Sequence, residues 1–238
     1  MTTDKRLIVA LDVHTMDEMK QMVERLGDTV NYYKIGMELF YSVGTEAIRY
    51  LRQAGKDVFL DLKLHDIPNT VAQSARVLTG LGVTMFNVHA PGGLKMMKTA
   101  AEAMADEAQK LGALRPKLIA VTVLTSIDET EWDNLSYSLP IKDQVVKLAN
   151  LAKAGGLDGV VASPREAGYI RSACGPDFLI VTPGIRPQGA DLGDQSRTAT
   201  PAGALQAGAS HLVIGRPITR AQEPKAAAEA ILREMEGI

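Results

Sequence analysis

The stretch DLKLHDIPNT, residues 61–70, follows the apolar run VFL at 58–60 and sets Asp61, Lys63 and Asp66 within six positions. Side chains alternate along a strand, so Asp61 and Lys63 share one face while Leu60, Leu62 and Leu64 share the other. Few environments suit a strand that is apolar on one side and ends in clustered opposite charges on the other. Leucines packed against helices, with the charges turned into a barrel at the strand's C-terminal end, satisfy both halves. That end is where barrel enzymes assemble their sites from strand ends and the loops that follow.

The surrounding sequence supplies the rest of such a barrel. Short apolar, β-branched runs recur eight times: LIVAL at 7, YYKIGM at 32, DVFLDLK at 57, MFNVHA at 85, KLIAVTVL at 117, GVVAS at 159, FLIVTPG at 178 and HLVIG at 211. Amphipathic stretches lie between most of them, and LKMMKTAAEAMADEAQKLG at 94–112 predicts a helix ended by Gly112. Strand then helix, repeated eight times, fits a closed (β/α)8 TIM barrel, a fold of about 250 residues. An open doubly wound sheet would carry a Gly-rich first turn, which ALDVHTMDEM after the first strand lacks. No linker or low-complexity segment divides the chain, so residues 1–238 are expected to form one domain, with the least certain boundaries at 125–158.

Composition narrows the function classes. The chain has 46% hydrophobic and 23% charged residues with a formal net charge of -2, and no basic surplus that would favour nucleic acid. The apolar run LIVAL is too short for a signal-peptide core or a membrane span, and the single cysteine, Cys174, fits a reducing compartment, so a cytoplasmic address is expected.

Other charges gather at the same end of the barrel. Asp12 ends the first strand, and Lys34, Gly36 and Glu38 are expected on one face of the second, so Asp12, Lys34, Asp61 and Lys63 converge. Ion pairs that merely plug the barrel mouth are one explanation. Burying ions costs several kcal/mol each before pairing, however, and apolar residues often stabilise as well, so a ligand that uses the charges is the better one. His65 and His89 lack HxH or HExxH spacing and carry no metal expectation. His14 and His211 are expected to be surface or packing residues. Ile67-Pro68-Asn69 predicts a turn that leaves Asp66 and Thr70 on a loop beyond the strand.

A second informative stretch, VTPGIRPQGADLGDQSR at 181–197, follows the seventh strand. Loops after barrel strands commonly run about two to six residues, and longer ones often act as lids. Its candidate ligands are Arg186 and Gln195. After the eighth strand, IGRPITRAQEP places Gly215 for close backbone approach, Arg216 as a bidentate donor and Pro217 at the start of a short helix. Phosphate binding after strands seven and eight recurs in this barrel, so a phosphorylated ligand is expected there, with its reacting end towards strand three. Thr125 and Ser126, after the fifth strand, either face a polar ring or cap a helix.

DLKLHDIPNT, VTPGIRP, GDQ and IGRP, together with the early LDV and KIG, resemble the orotidine 5'-phosphate decarboxylase family in its bacterial form, in order from about residue 7 to about 220. The resemblance implies conversion of orotidine 5'-monophosphate to UMP and CO₂ in pyrimidine biosynthesis, with no metal or organic cofactor. It implies that Lys63 protonates C6 of the pyrimidine, that Asp61 sits near the departing carboxylate, and that Lys34, Asp61, Lys63 and Asp66 form an alternating charge network. It further implies that Asp12 and Lys34 hold the ribose, that Thr125 and Pro183 lie by the substrate, and that Arg186, Gln195, Gly215 and Arg216 bind phosphate. It also implies a homodimer in which Asp66 and Thr70 reach the neighbouring site. Leu64 stands where the commonest form of the motif has Phe, an apolar exchange on the outward face.

Three rivals remain open on the residues alone. One is an aldolase in which Lys63 forms a Schiff base with a sugar phosphate, which nearby carboxylates disfavour by keeping the lysine protonated. The second is a Mg²⁺-dependent enzyme that stabilises an enediolate, and the third is a non-catalytic phosphate-binding barrel.

Overall fold

Each of the eight apolar runs forms a strand in the computed structural model, which describes residues 4–187 and 198–238. The chain runs β1 (Leu7–Leu11), α1 (Met16–Leu26), β2 (Tyr32–Gly36), α2 (Met37–Val43), α3 (Glu46–Gln53), β3 (Asp57–Leu64), α4 (Pro68–Gly80), β4 (Met85–His89) and α5 (Gly93–Leu111). It continues through β5 (Lys117–Val121), α6 (Glu129–Asn134), α7 (Ile141–Ala154), β6 (Gly159–Val161), α8 (Ala167–Cys174) and β7 (Leu179–Thr182). The last elements are α9 (Pro201–Gln206), β8 (His211–Ile214), α10 (Arg216–Thr219) and α11 (Pro224–Met235). Consecutive strands pair in parallel, and β1 pairs with β8 to close the barrel.

Alternation along the strands divides the core in two. Ile8, Ala10, Tyr32, Phe59, Met85, Ile119, Val181 and Val213 pack together inside the barrel. Their neighbours Val9, Leu11, Tyr33, Ile35, Val58, Leu60, Phe86 and Val88 pack outward with the helices. Leu62 and Leu64 join this outer layer, as the pattern in 61–64 requires. Register then sets heights: Ala10 lies opposite Lys34, Lys34 opposite Phe59, and Gly36 opposite Asp61. The charged residues of β2 and β3 therefore stand directly above an apolar plug.

Local signals explain where the elements stop. Thr15 caps α1 by accepting from the Glu18 N–H, while Glu18 accepts from the Thr15 N–H at 3.0 Å, a reciprocal box that turns the chain sharply after Asp12. Gly112 ends α5 in the left-handed conformation, φ 59°, as its position predicts. Among the described residues no helix is long and apolar enough to cross a membrane.

Three expectations need correction. Glu38 does not share a strand face with Lys34, because β2 ends at Gly36 and α2 begins at once; Glu38 pairs instead with His14, 3.1 Å away. Thr70 is not on a loop: Pro68, with its preset φ and no N–H to lose, opens α4 and puts Thr70 in the first turn. The cap of α6 is Asp128, whose carboxylate accepts from the Glu131 N–H at 2.9 Å, rather than Thr125 or Ser126.

Candidate active site

The charged residues form one alternating line across the barrel mouth. Lys34 Nζ lies 3.2 Å from Asp12 Oδ1 and 3.4 Å from Asp61 Oδ2, and Lys63 Nζ lies 2.7 Å from Asp61 Oδ1. Asp61 is buried, at 9% exposure, with an ammonium on each side. Burial alone would raise its carboxyl pKa, but the charges of Lys34 and Lys63 and hydrogen bonds from Lys63 and Asn87 outweigh it and hold the group below its ordinary value. Burial would likewise lower Lys34, yet Asp61 and Asp12 together raise it. Both groups stay ionised through the neutral range.

Lys63 does not reach this line by plain strand alternation. Its φ is +55°, the left-handed region, which costs a residue with a Cβ about 1–2 kcal/mol. The β3–β4 ladder breaks at the same point: Leu60 pairs with Phe86 and Leu64 with Val88, so Asp61, Leu62 and Lys63 together face the single residue Asn87. Asn87 is 1% exposed; it accepts from the Lys63 N–H at 2.8 Å and donates to Asp61 Oδ1 at 2.7 Å.

The ion pairs leave the mouth open. Beside Lys34, Asp61 and Lys63 lies a cavity of about 190 Å³, walled by Phe59, Val121, Val123, Leu124, Val161, Pro183 and Val213, with Thr125 on its edge. Three charges thus meet a largely apolar wall, beside which electrostatic forces are screened less than in bulk water.

The sequence from residue 5 to residue 231 matches the model of the orotidine 5'-phosphate decarboxylase / HUMPS family. The chain belongs to this family. It is 52% identical over 237 residues to orotidine 5'-phosphate decarboxylase of Moorella thermoacetica, covering 99% of this chain and 94% of that protein. It is 50% identical over 238 residues to the enzyme of the same name from Geobacter metallireducens, covering 99% of each. The crystal structure of orotidine 5'-phosphate decarboxylase from Lactobacillus acidophilus superposes with a TM-score of 0.87 at 45% identity, over 98% of this chain and 100% of that one.

Within this family's barrel, Lys34, Asp61, Lys63, Thr125 and Pro183 line the cavity, and Asp12 joins it through Lys34. Gly215 sits beside Asp12, where a Cβ would come 3.5 Å from its Oδ2. Arg216 opens α10 half-buried, with Pro217 beside it as the sequence predicts. Arg186 is buried at 9% exposure; its Nη1 donates to the Ile185 carbonyl at 2.9 Å, and its backbone N–H donates to the Ala199 carbonyl. An Ile185–Ala199 bridge ties the two chain segments there. Asp66 and Thr70 are exposed and do not line the cavity; Asp66 Oδ1 accepts from the Ile67 N–H. Gln195 lies outside the described residues.

His65, just beyond β3, and His89, the last residue of β4, approach to 5.4 Å between ring centroids. Burial, then the charges of His65 and Lys63, keep His89 below its ordinary pKa. Among the described residues no group of three His, Cys, Asp or Glu side chains is placed to hold a metal. Sequence reading also missed Asn87. Its signal was present, since in MFNVHA it occupies the inward parity shared by Met85, a polar residue in a position that is otherwise apolar.

Proposed function

We propose that this chain converts orotidine 5'-monophosphate to UMP and CO₂, with Lys63 as the proton donor to C6. One observation carries the chemistry: an ammonium, fixed by a 2.7 Å contact to a buried carboxylate, faces a small apolar cavity. Breaking the C6–carboxylate bond leaves an electron pair in the plane of the pyrimidine ring, where it cannot delocalise into the π system. A preorganised cation beside C6 stabilises that pair as it forms and then delivers a proton to it, after which Lys63 regains its proton from solvent. Asp61 orients the Lys63 ammonium and stands next to the departing carboxylate. This arrangement disfavours the Schiff-base rival, since amine attack on a carbonyl needs a neutral lysine.

The cavity is smaller than the roughly 300–1,000 Å³ of sites that enclose a whole drug-sized ligand, which suits a ring held inside with ribose and phosphate nearer the mouth. In this reading Asp12 and Lys34 bind the ribose, Thr125 and Pro183 meet the pyrimidine, and Gly215, Arg216, Arg186 and Gln195 receive the phosphate. Their support is the position after β7 and β8, where barrels of this type hold phosphate. The reading includes a single catalytic domain over 1–238, a cytoplasmic setting and a homodimer, with Asp66 of the Lys34–Asp61–Lys63–Asp66 network and Thr70 serving the neighbouring site. Exposed Ile67, at 66%, between the charged strand end and α4, suits such an interface.

The test follows orotidine 5'-monophosphate absorbance with EDTA present, for wild type and Lys63→Ala. Rapid turnover by wild type and a loss of at least about 10²–10³-fold in the folded variant are expected, the range for removing one preorganised donor. No turnover by folded wild type overturns the reading; loss of activity only with EDTA favours the Mg²⁺ rival.

A further inference from the structure

We propose that Asn87 is a positioning residue for this reaction, a clamp that sets the backbone of Lys63 and the carboxylate of Asp61 at once. The inference rests on the decarboxylase reading for its kinetics and on geometry for its cause. Asn87 does not line the cavity, so it acts through its neighbours and not on substrate.

Its geometry fits that task. In a regular ladder the N–H of a β3 residue would find a backbone carbonyl, but three residues of β3 face Asn87 alone. The Lys63 N–H is left over, and the Asn87 side-chain carbonyl takes it at 2.8 Å. That bond holds Lys63 at φ +55°, the conformation that carries its side chain inward while Leu62 and Leu64 stay packed outside. The other end of the amide donates to Asp61 Oδ1, the same oxygen that accepts from Lys63 Nζ, and so fixes the carboxylate plane. The amide orientation is determined by both partners, because a flip would set its oxygen against a carboxylate and its NH₂ against an N–H. Asn is suited to both bonds. A carboxylate would add a charge beside Asp61, and an aliphatic side chain would leave the Lys63 N–H buried without an acceptor.

Asn87→Ala and Asn87→Asp, compared with wild type, test this. In Asn87→Ala, kcat should fall roughly 10–100-fold, the scale for removing an outer partner that orients a functional group, with UMP inhibition little changed. In Asn87→Asp, a protonated carboxyl reproduces the donor and the acceptor of the amide. That variant should therefore be impaired at neutral pH and recover towards acid pH, adding an ionisation to the kcat profile that wild type lacks. Asp61 and Lys63 contact the position, Lys34 pairs with Asp61, and His89, two residues further along β4, packs against His65; all are present in both proteins, so the wild-type profile removes their contribution. Wild-type kcat in Asn87→Ala, or a loss confined to KM, overturns the proposal. So does a uniform loss in Asn87→Asp at every pH, which decides the matter if Asn87→Ala does not fold. Crystal structures of the variants separate this claim from the activity itself. Lys63 should leave the left-handed region in Asn87→Ala, whether or not wild type turns over orotidine 5'-monophosphate, and a retained positive φ there counts against the clamp.

Discussion

At Gly36 the end of β2 meets the ammonium of Lys34, and a Cβ added there would stand 3.0 Å from Nζ and 3.6 Å from Asp12 Oδ1. The nearest atom is the tip of a flexible side chain, so the fold should tolerate alanine while the ammonium shifts. Gly36→Ala is expected to keep its melting temperature but lose up to roughly 10-fold in kcat/KM, because the ammonium must give way by a few tenths of an ångström and a misplacement of about 1 Å can cost about 10²-fold. An unchanged kcat/KM would mean that Lys34 is not held where the reaction needs it. At this scale much of the site was legible. Asp61 and Lys63 announced themselves as charges on an apolar strand, whereas Asn87 gave only the weaker signal of one neutral amide at an inward position, and its partners, Lys63 and Asp61, lie on another strand.

Strand boundaries follow from apolar runs, but strand contacts follow from closure. Strand β6 is only three residues long, and at Gly159 a Cβ would overlap the carbonyl of Leu179 on β7. The obstacle is backbone, which cannot swing aside as Lys34 can. Gly159→Ala should therefore cost roughly 3 kcal/mol or more, seen as a clear fall in the thermal unfolding midpoint, and a midpoint equal to wild type would contradict the close β6–β7 approach. The region 125–158, ambiguous in sequence, resolves into two helices, α6 capped by Asp128 and α7 beginning after Pro140. The apolar run at 117–124 extended past the true strand because Val123 is buried by packing rather than by pairing, which a periodicity cannot distinguish.

The whole barrel has an acid-sensitive end opposite the active site. His211, at the start of β8, packs edge-on against Tyr32 inside the barrel, ring centroids 6.1 Å apart, and burial pushes its pKa down to about 4, with Asp4 opposing. The unfolded chain then binds a proton that the folded chain refuses between about pH 6.5 and 4, so stability is full above 6.5 and falls as pH drops through that window. From pH 7 to pH 5 the loss is about 2 kcal/mol, or roughly 4–8 °C in Tm. His211→Leu should lose correspondingly less Tm over that interval, and an equal loss would remove His211 as the cause. At the other end, the proposed sharing of sites between subunits predicts that mixing inactive Asp66→Ala and Lys63→Ala proteins restores activity. Confirmed subunit exchange without recovery would count against it. Taken alone, the sequence determined the barrel, because eight apolar runs alternating with amphipathic helices admit few other parallel arrangements, and it singled out the strand that bears the charged cluster. Tertiary structure alone decided how the chemistry is aimed. The left-handed turn at Lys63, the amide that holds it, and the approach of Lys34 to Asp61 depend on distances between strands that lie far apart along the chain, and no local pattern encodes those distances.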